Sequence, residues 1–202
     1  MRSISNALCA LLPFTATALG AAIEKRQGAN IVYGLQQVQA QIGVLNQMLY
    51  YFDGNPATGA LDAIKIQDQT DNVGEAVEYT TQIANASPTL DEADSLAVST
   101  QVLSLRPDIK NLLLNIAAKK PDFDGVIVGL FSVSKQVKES LQDQKALTVA
   151  LGDAIAMKLT GAFKKAAPEI NDEFAMEFDA AIAAYVNDEG IPVPSDLTDL
   201  LE

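Results

Sequence analysis

The chain has no histidine and no tryptophan, and its one cysteine, Cys9, lies close to the start. Without histidine there is neither a Ser-His-Asp triad nor a Cys-His pair. A zinc site built on Cys and His ligands is excluded for the same reason. A lone cysteine forms no disulfide within the chain, so stability has to come from burial. Basic residues are scarce too: 14 Lys and Arg stand against 26 Asp and Glu, for a net charge of −12. Nucleic-acid phosphates would repel such a surface, and so would anionic lipid headgroups. The charge favours solubility and a monomer or weak homodimer. No stretch alternates apolar and polar residues as a strand does, and no P-loop or dinucleotide glycine motif appears. "DFDG" at Asp122–Gly125 opens like a calcium loop, but no further oxygen ligands follow at the required spacing. Neither a metal nor a cofactor is expected.

The amino terminus reads as a targeting segment. Arg2 precedes a mostly apolar run from Ala7 to Leu19, and small residues follow at Ala18, Gly20, Ala21 and Ala22. The run is too short to span a bilayer comfortably, and the layout is that of a secretory signal peptide. Lys25-Arg26 then forms a dibasic pair, read as a pro-segment processing site that makes Gln27 the new amino terminus. The expected organisation is residues 1–26 removed and residues 27–202 forming one domain. Removal takes away Arg2, Lys25 and Arg26 and only one acid, Glu24, so the product is more acidic still. A chain of this length suits one sizeable core. No transmembrane segment is expected.

Helical periodicity dominates the remainder. Ile31, Leu35, Val38, Ile42, Leu45, Leu49 and Phe52 recur at alternating steps of four and three, until Asp53-Gly54-Asn55-Pro56 supplies turn chemistry. A second helix is expected over about Ala57–Ala86, with Ile66, Val73, Val77 and Ala84 inward and Thr70 and Thr80 on the same seam. Ser87-Pro88 ends it. The third has Asp91, Glu92 and Asp94 in its first turn, where negative charge complements the helix dipole. Its stripe is Val98, Val102, Leu105, Ile109, Leu112 and Ile116, and Pro107 inside it predicts a kink or break near Leu105 or Arg106. A fourth helix starts at "PDFDG", with Phe123, Val126 or Ile127, Leu130, Val133, Val137 and Leu141 inward. A fifth, separate from or continuous with it, carries Leu147, Leu151, Ile155, Leu159 and Phe163 and ends at Lys164, Lys165 and Pro168. The last runs over about Pro168–Asn187, with Ile170, Phe174, Phe178, Ile182 and Tyr185. The fold class is therefore all-α, a bundle of five to six long antiparallel helices without disulfides.

Some of these helices are apolar on more than one side; Leu112, Leu113 and Leu114 cannot share one narrow stripe. They lie either at the centre of a bundle or around a cavity. Gly34, Gly43, Gly74, Gly129, Gly152 and Gly161 fall inside predicted helices, each costing about 1 kcal/mol relative to Ala. Close helix approach or room for a ligand would repay that cost. The acid clusters Asp91-Glu92-Asp94, Asp122-Asp124 and Glu169-Asp172-Glu173 all sit at expected helix starts, which accounts for them without catalysis. Asn85-Ala86-Ser87 is a glycosylation sequon, with Pro88 after it weighing against occupancy.

Several of these features together resemble the hydrophobic surface-binding protein A family of filamentous fungi, also called the cell-wall galactomannoprotein family. The resemblance rests on the signal peptide followed by "EKR", the cysteine-free acidic helical domain, "DSLAVSTQVLSLRPDIKNLLLNIAAKKPDF" and "FDAAIAAYVN". It implies a secreted or wall-associated bundle without enzymatic activity. Such a bundle would bind long-chain fatty acids or other lipids between its helices, or adsorb to hydrophobic surfaces and recruit a secreted hydrolase. "DLTDLLE" at the end carries neither a Ser/Thr-rich stalk nor an anchor signal, which favours a freely secreted form over a wall-bound one.

On that reading the lipid-binding candidates are Leu45 and Leu49 on the first helix and Val73 and Val77 on the second. Leu105, Ile109, Leu113 and Ile116 follow on the third, then Leu130, Val133 and Val137, and Phe174 and Phe178 on the last. Thr70, Thr80 and Ser134 are the candidates for a lipid headgroup. A helix of about 25 residues is about 37 Å long, enough to enclose an acyl chain.

Overall fold

The structure is a computed structural model that describes residues 16–55, 57–128 and 131–185. The first fifteen residues of the expected signal segment and the acidic tail after Tyr185 lie outside the described residues. The helices are α1 (Ala16–Tyr51), α2 (Gly59–Ala86), α3 (Glu92–Ala118), the single-turn α4 (Lys120–Asp124), α5 (Val133–Lys158) and α6 (Gly161–Ala183). Two residue pairs, β1 (Ile127–Val128) and β2 (Phe131–Ser132), form a short antiparallel hairpin before α5.

The periodic stripes explain why these segments are helices and which way they face. All seven apolar residues of the α1 stripe, from Ile31 to Phe52, are buried. On α2, Ile66, Val73, Val77 and Ala84 are buried, and on α3 so are Val98, Leu105, Ile109 and Leu112. Asp91 caps α3 by accepting from the Asp94 amide at 2.7 Å, which satisfies one of the free N–H groups at that end. Carbonyls at the far ends of α1 and α2 are met by lysines from other parts of the bundle. Lys119 Nζ donates to the Phe52 carbonyl, and Lys158 Nζ donates to the Asn85 carbonyl at 2.9 Å. A cation at a helix carboxyl end also favours the helix dipole.

Cross-helix bonds give the arrangement. Gln69 reaches Gln41, and Thr80 lies against Gly34, so α1 and α2 run antiparallel. Lys145 pairs with Asp179, and Asn171 bonds Val149 and Asp153, so α5 and α6 do too. By contrast Gln39 and Asn46 pair with Asp108 and Asn115, making α1 and α3 parallel neighbours. Gln67 and Thr70 pair with Ser140 and Gln144 across parallel α2 and α5. Arg106 and Ile116 pair with Glu173 and Tyr185 across parallel α3 and α6. The result is a closed ring in the order α1-α2-α5-α6-α3. Each long helix reverses the direction of the one before it in sequence, as an up-and-down bundle requires.

Three local expectations are corrected. The fourth helix does not run on from "PDFDG": α4 is one turn long, the hairpin follows, and Val133 opens α5. The expected fourth and fifth helices merge into that one helix, which ends at Lys158 rather than at Pro168. Gly161 has φ +61°, a left-handed conformation that only glycine adopts cheaply, so the chain turns there and α6 begins seven residues before Pro168. Pro107 does not break α3 and Pro168 does not break α6. Each deprives only the carbonyl four residues back, Leu103 or Lys164, and both residues are exposed, so water can take the missing bond.

Four of the six helical glycines are explained by packing or by backbone conformation. A Cβ at Gly34 would lie 2.7 Å from Thr80 Oγ1, one at Gly74 2.8 Å from Gln144 Nε2, and one at Gly152 2.1 Å from Asn171 Oδ1. These are close helix contacts. Gly161 serves the turn, Gly43 faces open space, and Gly129 lies outside the described residues.

Candidate functional site

The closed ring of helices leaves space along its axis. This cavity is about 120 Å³, measured as room for the centre of a water-sized sphere. One water needs roughly 10–15 Å³ on that measure, so the space is an order of magnitude larger than a hydration site. On α1 the lining runs from Leu35 to Leu49, on α2 from Ala63 to Val77 and on α3 from Val102 to Ile116. At 1.5 Å per residue each of these spans is about 21 Å. A bilayer's hydrocarbon core is about 30 Å thick and two acyl chains deep, so one chain occupies about 15 Å. The lining therefore extends at least as far as one acyl chain. Phe123 closes one end, stacked on Phe52 at a centroid distance of 4.6 Å.

The walls differ in chemistry. Every lining residue of α1 and α3 is aliphatic. The seam between α2 and α5 is not: Gln67 and Thr70 face Gln136, Ser140, Gln144 and Thr148 across it. Ser140 Oγ donates to Gln67 Oε1 at 3.0 Å, and Gln144 Nε2 donates to the Thr70 carbonyl at 3.0 Å. Ala63, Gln67, Gln136 and Ser140 also line a groove on the outer surface with Ile64, Asp68, Glu139 and Asp143. Four side chains thus separate the interior from solvent at this seam. No lysine or arginine is among the cavity-lining residues.

The structure brings most of the sequence-predicted site residues to this space. Leu45, Leu49, Thr70, Val73, Val77, Leu105, Ile109, Leu113, Ile116, Val133, Val137, Phe174 and Phe178 all line the cavity. Leu130 lies outside the described residues. Thr80 and Ser134 are fully buried but are not among the lining residues. Thr80 fills the notch left by Gly34 and donates its hydroxyl to the Ala76 carbonyl of its own helix at 2.7 Å. Ser134 donates to Asp124 Oδ1 at 2.5 Å, at the corner between α4 and α5. Thr70 does line the cavity, with its hydroxyl donated to the Ile66 carbonyl.

Sequence reasoning missed the polar lining. On α5 the residues Gln136, Ser140, Gln144, Thr148 and Gly152 recur at steps of four. The run of uncharged polar side chains at that spacing, Gln136, Ser140, Gln144 and Thr148, on a helix whose other polar positions are mostly charged, is the signal that marks it. Asn171 on α6 was missed as well, because a lone asparagine on a helix looks like a solvated residue.

The acidic pair at the α4 corner is committed to ion pairs. Lys119 Nζ is 3.1 Å from Asp122 Oδ2, and Lys120 Nζ is 2.8 Å from Asp124 Oδ2. Partial burial pushes the Asp124 carboxyl up, but the Lys120 ammonium and the Ser134 hydroxyl together outweigh it and hold Asp124 below the usual carboxylate range. Among the described residues no group of three or more Asp or Glu could hold a metal ion, and no helix is long and apolar enough to cross a membrane.

Fold and cavity together define a helical bundle built around an apolar, acyl-length space. The chain belongs to the hydrophobic surface binding protein A family, whose profile matches residues 28–157. Among solved structures it is similar to AFMP4P in complex with palmitic acid, with 28% identity and a TM-score of 0.72, covering 78% of this chain and 99% of that one. It is also similar to ligand binding domain 1 of Penicillium marneffei MP1 protein, complexed with arachidonic acids, at 21% identity and TM-score 0.63 over 76% of this chain and 94% of that one. Domain 2 of the same protein, with multiple arachidonic acids, gives 17% identity and TM-score 0.65 over 79% of this chain and 96% of that one. At these lower identities the two MP1 domains share the fold. No curated protein sequence matches the chain.

Proposed function

We propose that the protein is a secreted, non-enzymatic carrier that holds a long-chain fatty acid or a lipid of similar shape in the cavity between its helices. The observation that carries this reading is the cavity itself, whose lining spans about 21 Å along α1, α2 and α3 and draws on five helices of the ring. AFMP4P, whose structure holds palmitic acid, supports it, since 99% of that chain aligns here. Burying an acyl chain gains about 0.8 kcal/mol per methylene, less the cost of immobilising it. Asp122 and Asp124 are held in ion pairs at the α4 corner, and neither is among the residues that line the cavity. Removal of residues 1–26 is part of the reading, and the family match begins at residue 28, just past Lys25-Arg26. Solvent extraction of the purified protein, followed by mass spectrometry and by titration with palmitate and arachidonate, tests it. The expected result is one or more co-purifying lipids and saturable binding; no lipid and no binding would overturn it.

A second reading has its own observation. Tyr50 and Tyr51 are 76% and 72% exposed, and Leu61 and Ile64 are exposed nearby on the first turns of α2. An apolar group at the α1–α2 turn suits adsorption to a hydrophobic solid, with opened helices spreading on it and a secreted hydrolase recruited there. Depletion of the protein by polyester beads, reduced by Tyr50→Ser with Tyr51→Ser, is the expected result. Equal depletion of wild type and variant would count against these residues.

A further inference from the structure

The cavity wall is not equally thick all round. On α1 every lining residue, from Leu35 to Leu49, is buried. Gln136 on α5 is the opposite case: it lines the cavity and is exposed to solvent. Gln67 and Thr70 on α2, and Val137, Ser140, Gln144 and Thr148 on α5, line the cavity and are half-buried. Elsewhere the lining residues that solvent reaches are scattered. Val102 and Ile116 stand at opposite ends of the α3 lining, and the space beside Gly152 is filled by the Asn171 side chain. The wall is therefore thinnest between α2 and α5.

The outer surface has a groove at the same place. Ala63, Gln67, Gln136 and Ser140 line both the groove and the cavity. Ala63 and Ser140 are short, so the long side chains of Gln67 and Gln136 supply most of the cover. Both are unbranched and uncharged, and exposed side chains change rotamer within picoseconds to nanoseconds. The cover is held by Ser140 Oγ, which donates to Gln67 Oε1 at 3.0 Å, and Gln67 Nε2 donates outward to Asp71 Oδ1 at 3.0 Å. Exchanging such bonds for water changes the free energy little. Ile64, 45% exposed, gives the groove an apolar step on which a hydrocarbon chain can rest. Asp68, Glu139 and Asp143 form its acidic rim, and all three are exposed. No lysine or arginine lines the groove; Lys135 Nζ, 3.9 Å from Glu139 Oε1, offsets part of the rim's charge.

We propose that the groove between α2 and α5 is the portal through which a lipid enters and leaves the cavity, with Gln67 and Gln136 as its cover and an acidic rim that slows anionic lipids relative to neutral ones. The cover swings aside while the helices stay packed, and the bond from Gln144 to the Thr70 carbonyl, one turn along the seam, stays made. This inference rests on the carrier reading above and adds the route by which its ligand is exchanged.

Stopped-flow binding of parinaric acid, a fluorescent fatty acid, tests it. Cys9 is the chain's one cysteine and lies in the segment read as removed, so Gln136→Cys gives the secreted form a single thiol at an exposed position. Coupling a bulky maleimide to that thiol after folding should slow association and dissociation alike, by about tenfold or more, and leave the affinity within about threefold. The same label on Lys110→Cys, exposed on α3 and not among the lining residues, should change neither rate. Equal slowing by the two labels, or unchanged rates with the label at Gln136→Cys, would overturn the portal. So would a label there that weakens binding without slowing entry. Asp68→Asn, Glu139→Gln and Asp143→Asn together should speed entry of parinaric acid about threefold or more at low salt and leave parinaryl alcohol unchanged. Equal effects on acid and alcohol would overturn the role of the rim. No binding by the unlabelled protein would defeat the carrier reading itself, whereas binding at rates that no label in the groove alters would defeat only the portal.

Discussion

The two sides of the cavity are made differently. The α1–α3 wall is aliphatic along its whole length, while the α2–α5 seam carries Gln67, Thr70, Gln136, Ser140, Gln144 and Thr148. Both pairs of helices run parallel and enclose the same space. The difference lies in what each must exclude. On the cavity side the dry wall holds through apolar packing alone, and the hydrogen bonds that join α1 to α3, such as Gln39 to Asp108, lie off the lining. The seam joins through hydrogen bonds such as Ser140 to Gln67, and four of its side chains also face an outer groove. Groups of this kind lose little when they exchange a protein partner for water.

The largest test of that contrast swaps polarity between the walls. Leu45→Asn, on the dry wall, loses aliphatic burial and strands an amide, and should cost about 4 kcal/mol in chemical denaturation. Thr70→Asn, on the seam, should cost under about 1 kcal/mol, because polar partners stand opposite. Equal losses would mean that the two walls do the same job.

Next in size is a change that fills the space. Val73→Trp, midway along the α2 lining, should displace about three methylenes of a bound chain and weaken palmitate by about 2–3 kcal/mol, or roughly 30- to 150-fold. The melting temperature should hold or rise, since the ring occupies a void instead of crowding a filled core. A lowered melting temperature with unchanged affinity would show that the interior is already solid at that point.

Gly34→Ala probes where α1 meets α2, away from the lining. Its methyl would meet Thr80 Oγ1 at 2.7 Å and Cγ2 at 2.9 Å, so the helices must move apart. A loss of about 1–3 kcal/mol is expected, with Thr80→Ser recovering part of it by removing the offending methyl. No recovery would place the strain elsewhere.

The smallest effect concerns Asp124. Its pKa is lowered in the folded state, so the stabilisation it brings is present above the ordinary aspartate range and is lost as pH falls through the lowered value. Asp124→Asn should therefore narrow the gap in melting temperature between neutral and acid pH. The pair is partly exposed, so the change should be about 0.5 kcal/mol or less. An unchanged pH profile would remove Asp124 from the acid response.

Much of the architecture was legible from periodicity alone. The α1 stripe was read residue for residue, because one face of that helix is buried along its length and the pattern has little else to express. The cavity lining was legible on α2 and α3 for the same reason, since a residue facing a void and one facing a neighbour are equally apolar. That ambiguity is also why the sequence could not say that the centre is hollow. The break at Gly161 was missed because Leu159 and Phe163 keep helical spacing across it while the backbone turns. Thr80 was placed at the site because its position on the helix is right; a glycine on another helix, 46 residues earlier, decided its contacts instead. Asn171 went unread because its place is decided by Gly152 and Asp153 on another helix.

Native mass spectrometry of the purified protein with palmitic acid and with hexadecanol, run side by side with Val73→Trp, bears most directly on whether the interior is a lipid site. A species heavier by one lipid should appear with the wild type and be lost with the variant, while both proteins keep the charge-state distribution of a folded chain. A wild type that never carries lipid, or a variant that carries it equally well, would contradict the account.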